Sequence, residues 1–64
     1  MNTTLSGKLV ELRDAYIVLT GPTYVMMPPG TTVENLAVGD LVTVSATWQG
    51  GRWTAERVER LEGA

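Results

Sequence analysis

Sixty-four residues leave room for one domain, spanning residues 1–64, with a thin core; a chain this short buries roughly 60% of the surface it exposes when unfolded. The sequence holds no cysteine and no histidine. Disulfides, thiolate or imidazole metal sites, thiol catalysis and the usual neutral-pH general base are therefore excluded together. Five basic against seven acidic residues give a net charge of −2, which argues against a dedicated nucleic-acid binder and against an anionic membrane surface as partner.

Turn residues cut the chain into short pieces, the pattern of an all-β domain. Leu5 to Leu12 reads as the first strand, with Gly7 marking a bend or bulge. Arg13-Asp14 then makes a tight connection. Ala15 to Thr20 is β-branched, aromatic and apolar on both faces, the strongest strand signal present. After the Gly21-Pro22 turn, Thr23 to Met27 forms a third strand, which Pro28-Pro29-Gly30 stops by removing backbone donors. In Thr31 to Leu36, Thr31 and Glu34 have capping-box spacing, and Val33 and Leu36 would share a face. A single helical or 3₁₀ turn plugging one end of a barrel is expected there.

Val38-Gly39-Asp40 is a turn. From Leu41 to Trp48, Val42, Val44, Ala46 and Trp48 alternate with Thr43, Ser45 and Thr47, so one face is buried. Gln49-Gly50-Gly51-Arg52 reads as a hairpin loop that sets Trp48 opposite Trp53 and Ala46 opposite Ala55. The last strand runs from Trp53 to about Leu61. Its apolar residues Ala55, Val58 and Leu61 are spaced by three, which also fits a short helix. A strand with a bulge near Arg57 is preferred, because the preceding strand would otherwise keep a long exposed edge.

Strand, strand, strand, helical turn, strand, strand is the order of a five-stranded OB-like barrel. Gly7-Lys8-Leu9, the run Leu36 to Val44, and Gly50 to Val58 also resemble a bacterial family of small OB-like domains of unknown function. The resemblance covers nearly the whole chain through turn and core motifs. It supports the fold and implies no particular activity. Many members of that family look exported or envelope-associated. Here Met1-Asn2-Thr3-Thr4 is uncharged, no apolar signal core follows, and no apolar run approaches the roughly 20 residues that span a bilayer. A cytoplasmic location is the expectation from these residues.

In OB-folds the ligand crosses strands two and three between the loops joining strands one–two and four–five. Tyr16 and Tyr24 fall on those strands, and Trp48, Arg52 and Trp53 flank the four–five loop. They are the candidate ligand-binding residues, against the plainer reading of Trp48 and Trp53 as a pair closing the core. Met26, Met27 and Pro28 form a candidate soft docking patch for a protein partner, or an ordinary strand end. Lys8, Arg13, Arg52, Arg57 and Arg60 are interleaved with Glu11, Glu56, Glu59 and Glu62, the pattern of a solvated face rather than a phosphate-binding stripe.

No carboxylate spacing matches a calcium loop, Asp40 reads as a turn residue and Glu34 as a cap, and Ser6 and Ser45 lack a partner base. No catalytic residue, metal site or cofactor is expected. The expected role is a non-enzymatic binding or assembly module that contacts another protein or a copy of itself, through a sheet edge or the aromatic–methionine patch. The alternative is a weak single-stranded nucleic-acid or oligosaccharide binder.

Overall fold

The computed structural model describes residues 2–33 and 35–63. They form β1 (Asn2–Leu12), β2 (Tyr16–Leu19), β3 (Thr23–Met26), β4 (Thr32–Val33), β5 (Leu41–Gln49) and β6 (Arg52–Glu62). The fold is an all-β barrel of five main strands with the two-residue β4 added against β6. Spatial order is β3-β2-β1-β5-β6-β4, and β3 also pairs with β6, which closes the sheet on itself. Closure uses parallel pairing of Val25 with Trp53 and of Met26 with Thr54.

β1 serves two partners in succession. Asn2 to Lys8 pairs antiparallel with β5, and from Leu9 onward the strand pairs with β2. The irregularity lies between Leu9 and Glu11, so Val10 is the bulged residue rather than Gly7. Gly7 instead marks where β1 passes close to Leu19 and Thr20 as it changes partner. A bulge increases local twist, which lets one strand bridge the two halves of a small barrel.

The inward positions supply the core. Leu9, Ile17, Leu19, Val25, Val42, Val44, Ala46, Ala55 and Val58 are buried together, with Leu5, Met27, Leu36 and Trp53 packed against them. The alternation expected for β5 holds, since Val42, Val44 and Ala46 are all buried. Val18 is buried too, but on the opposite face of β2 from Ile17 and Leu19, where it pairs with Tyr24 and Glu11.

The β5–β6 hairpin has the expected register, with Trp48 opposite Trp53 and Ala46 opposite Ala55. Gly50 and Gly51 take φ of 63° and 78°, the left-handed pair that a two-residue loop needs and that glycine adopts without steric cost. Ala46 pairs with Ala55 and Ser45 with Arg57, leaving Glu56 as an extra residue beside the expected bulge. Residues 54–62 are strand, so the helical alternative fails. Its three-residue spacing arises because the bulge shifts the parity between Ala55 and Val58.

The expected helical turn between strands three and four is not found among the described residues; Thr32 and Val33 instead lie parallel to Arg57 and Val58. Thr31 does not cap forward. Its hydroxyl donates to Pro28 O at 2.6 Å, and its amide donates to the same oxygen at 3.1 Å. The capping role given to Glu34 lies outside the described residues. Beyond Leu36, Asp40 closes the next turn: Ala37 N donates to Asp40 Oδ2 at 2.9 Å, and Asp40 N to Ala37 O at 3.1 Å.

Candidate binding site

Parity sorts the aromatic residues onto two surfaces. Val25 points into the barrel, so Tyr24 and Met26 on either side of it point out. Tyr16 pairs with Met26 and shares that outer face. Trp53 packs inward against the core, so Arg52 and Thr54 beside it face outward next to β3. Tyr16, Tyr24, Met26 and Arg52 are thereby brought onto one face across β2, β3 and β6. Trp48 and Trp53 are not part of it. They meet edge to face, ring centroids 5.1 Å apart, at the mouth of the barrel, with Trp48 52% exposed. The pair thus closes the core through Trp53, while Trp48 shields its partner from the solvent side.

Beside the tyrosines lies an open groove of about 310 Å³, lined by Ala15, Met26, Met27, Pro28, Pro29, Arg52 and Thr54. Its walls are fixed from both ends. Met27 N donates to Ala15 O at 2.8 Å, tying the strand-three exit to the β1–β2 loop, and Thr31 holds the diproline turn through Pro28 O. Arg52 enters from the β5–β6 loop. The groove therefore occupies the place between those two loops where OB-folds take their ligands. Met26, Met27 and Pro28 adjoin the tyrosines here, Met26 through its pairing with Tyr16. Ala15, Pro29 and Thr54 were missed as lining residues. Their signal was topological, because only the β3–β6 closure brings Thr54 and Arg52 to Met26.

The tyrosines differ in freedom. Their ring centroids are 6.2 Å apart at a tilt of 37°. Tyr24 is 60% exposed. Tyr16 donates its hydroxyl to Glu11 Oε2 at 2.9 Å, and Arg13 Nε donates to the same oxygen at 2.8 Å. The Arg13 guanidinium, and after it the Tyr16 hydroxyl, hold the Glu11 carboxyl below the usual carboxylate range. The same bond to Glu11 raises the Tyr16 hydroxyl above the ordinary tyrosine range. Tyr16 is thus a fixed ring, and Tyr24 is free to stack.

Groove, loops and barrel define a small OB-like domain with an open groove in the position where OB-folds take ligands. No protein-family model matches the chain, and no curated protein sequence does. Solved structures do match. The chain is similar to Ag(I)-bound CusF, with a TM-score of 0.80 and 14% identity over 94% of this chain and 97% of that one. It is similar to apo-CusF residues 6–88 from Escherichia coli, with a TM-score of 0.83 and 12% identity over 97% and 89% of the two chains. A Cu(II) form of a tryptophan-to-alanine CusF variant from the same organism gives 0.83 at 12% identity, over 95% and 92%. At these identities the likeness carries the fold. It also points away from the cytoplasmic location read from the first residues, and that expectation is withdrawn. The opening residues were a poor guide because a few uncharged residues do not decide where a folded domain works.

Proposed function

We propose that this chain is a non-enzymatic binding domain whose outer face, between the β1–β2 and β5–β6 loops, takes an apolar side chain and a carboxylate of a peptide or protein partner. The observation that carries this reading is the groove itself. Methionines and prolines line it, and the Arg52 guanidinium is the one charged group among the residues that do so. Methionine is adaptable and polarisable, which suits a site that moulds to an apolar anchor. A guanidinium pairs with carboxylate in fixed fork geometry. Closure of the barrel through β3 and β6 favours this face over a sheet edge as the point of contact.

CusF structures hold Ag(I) and Cu(II), so a soft metal ion as cargo is the competing reading. The donors here do not fit it. Histidine and cysteine are absent from the sequence, and among the described residues no three carboxylates gather. Met26 and Met27 offer two thioethers, beside a cation. Thioethers suit a monovalent soft ion, but two of them next to a guanidinium make a poor seat.

Methionine-methyl and amide NMR tests the assignment with four probes: a short peptide ending in leucine with a free carboxylate, its amidated form, oligothymidylate, and Ag(I). Shifts at Ala15, Met26, Met27, Arg52 and Thr54 with the free carboxylate, weakened by amidation, support the proposal. Tight Ag(I) binding at the methionine methyls, or oligothymidylate shifts centred on Tyr24 without any peptide response, would overturn it.

A further inference from the structure

A second surface lies outside the groove. Lys8 pairs with Leu41, and Leu41 with Glu62, so these three form one row across β1, β5 and β6 on the outer face. The register irregularity between Leu41 and Val42 sets Leu61 beside Glu62, both opposing Leu41. Val10, bulged out of β1, follows Lys8 on the same face. The turn bearing Val38 is laced to that strand, because Gly39 N donates to Leu9 O and Leu9 N to Asp40 O, each at 2.8 Å. Four apolar side chains are thereby gathered and left to solvent, Val38 at 58% and Leu61 at 64% exposure. Scattered exposed residues need no explanation, but a contiguous apolar cluster marks a contact surface.

The charges flanking the cluster name the occupant. Lys8 and Glu62 stand two strand spacings apart, about 10 Å between backbones, with Leu41 between them. Neither makes an ion pair among the described residues. The row reads positive, apolar, negative. A half-turn about an axis through Leu41 reverses it, so a second copy sets its negative end over the first copy's positive end. Self-complementarity under a two-fold rotation is what an isologous dimer interface requires.

We infer that a second copy of this chain docks here, with Leu41 and Leu61 at the centre and two Lys8–Glu62 pairs across the interface. A standard interface takes about 800 Å² from each partner, roughly a fifth of this chain's 4068 Å² surface. The four apolar side chains supply its centre only. The adjoining row of Ser6, Thr43 and Glu59, the last paired with Arg57 at 2.9 Å, supplies a polar rim, and the dimer is weak and concentration-dependent.

Sedimentation velocity from about 10 μM to about 1 mM tests this, since a weak dimer's dissociation constant falls in that range. The wild-type chain is expected to shift from monomer to dimer. Lys8→Glu alone and Glu62→Lys alone are each expected to raise the dissociation constant about tenfold, by setting like charges against each other twice. Mixing the two variants restores dimerisation as a heterodimer, because each then meets its opposite charge. Leu61→Asp abolishes association, while Arg52→Ala in the groove leaves it unchanged. Circular dichroism confirms that every variant is folded. A wild-type monomer throughout the range, single swaps without effect, or a mixture of folded variants that stays monomeric would each overturn the inference.

Discussion

Asp40 is the one buried charged residue among the described residues, 2% exposed, and its removal is a direct test of what holds the barrel's turns. Its carboxylate accepts the Ala37 amide at 2.9 Å, and the Arg60 guanidinium lies 3.9 Å away. Arg60 is half-exposed, so that pair adds little. The hydrogen bond to a charged acceptor dominates, at about 1.5–3 kcal/mol. Asp40→Ala also strands the Ala37 donor, although relief of the carboxylate's desolvation offsets part of the loss.

A net cost of about 2 kcal/mol is expected, against a total stability of about 3–10 kcal/mol for a chain this size. The melting temperature should fall by roughly 8–16 °C. Asp40→Asn keeps an acceptor oxygen and is expected to cost about half as much. Urea unfolding followed by tryptophan fluorescence reads both, through Trp53 packed on the core, with an unchanged m-value. Asp40→Ala at less than about 0.5 kcal/mol, or Asn as costly as Ala, would refute the reasoning, because either result means the acceptor is not what the turn needs.

Leu9→Ala, at a fully buried position, is expected to cost about 2–5 kcal/mol and to leave a large unfolded fraction by circular dichroism at 37 °C. Gly51→Val forces a β-branched residue to φ near 78°; a loss of about 1–2 kcal/mol is expected, while Gly50→Asn is tolerated better. Tyr16→Phe removes one of the two hydrogen bonds that lower Glu11, so the Glu11 carboxyl should titrate at higher pH by ¹³C NMR. The sign follows from the depressed value: Glu11's contribution is complete above the ordinary glutamate range and is lost as pH falls through the lowered folded pKa, so Tyr16→Phe should move that loss to higher pH. Arg52→Ala should weaken any carboxylate-ended peptide about tenfold or more while leaving the melting temperature unchanged, since the side chain is exposed.

The barrel was legible where period-2 alternation meets a defined turn. Val42, Val44 and Ala46 with the Gly50-Gly51 loop fix both the buried face and the register of Trp48 against Trp53. Three features were not legible in this way. The β1 bulge falls at Val10, because it is set by the change of partner from β5 to β2 and not by the local glycine. Thr31 binds back to Pro28, since the diproline turn offers a carbonyl within reach before any helix can nucleate. The β3–β6 pairing joins residues nearly 30 positions apart in parallel, which no local pattern announces.

The candidate site was half legible for the same reason. Grouping Tyr16, Tyr24, Trp48, Arg52 and Trp53 by loop proximity mixes two faces. Strand parity separates them, because Trp48 continues the inward series of Val42, Val44 and Ala46, and Trp53 opposes it. Sequence alone could have made that separation, but it could not have brought Arg52 and Thr54 to Met26.

Parity also decides what the two surfaces can tolerate. In a barrel of five main strands the buried core cluster among the described residues holds nine side chains, so stability has little reserve there. At outward positions a substitution changes a surface without opening a cavity. Met26 and Arg52 in the groove, and Lys8 and Leu41 on the proposed dimer face, all stand at outward parity. Their variants should therefore separate cleanly in solution, each altering one association while the melting temperature stays within the few degrees that surface changes produce.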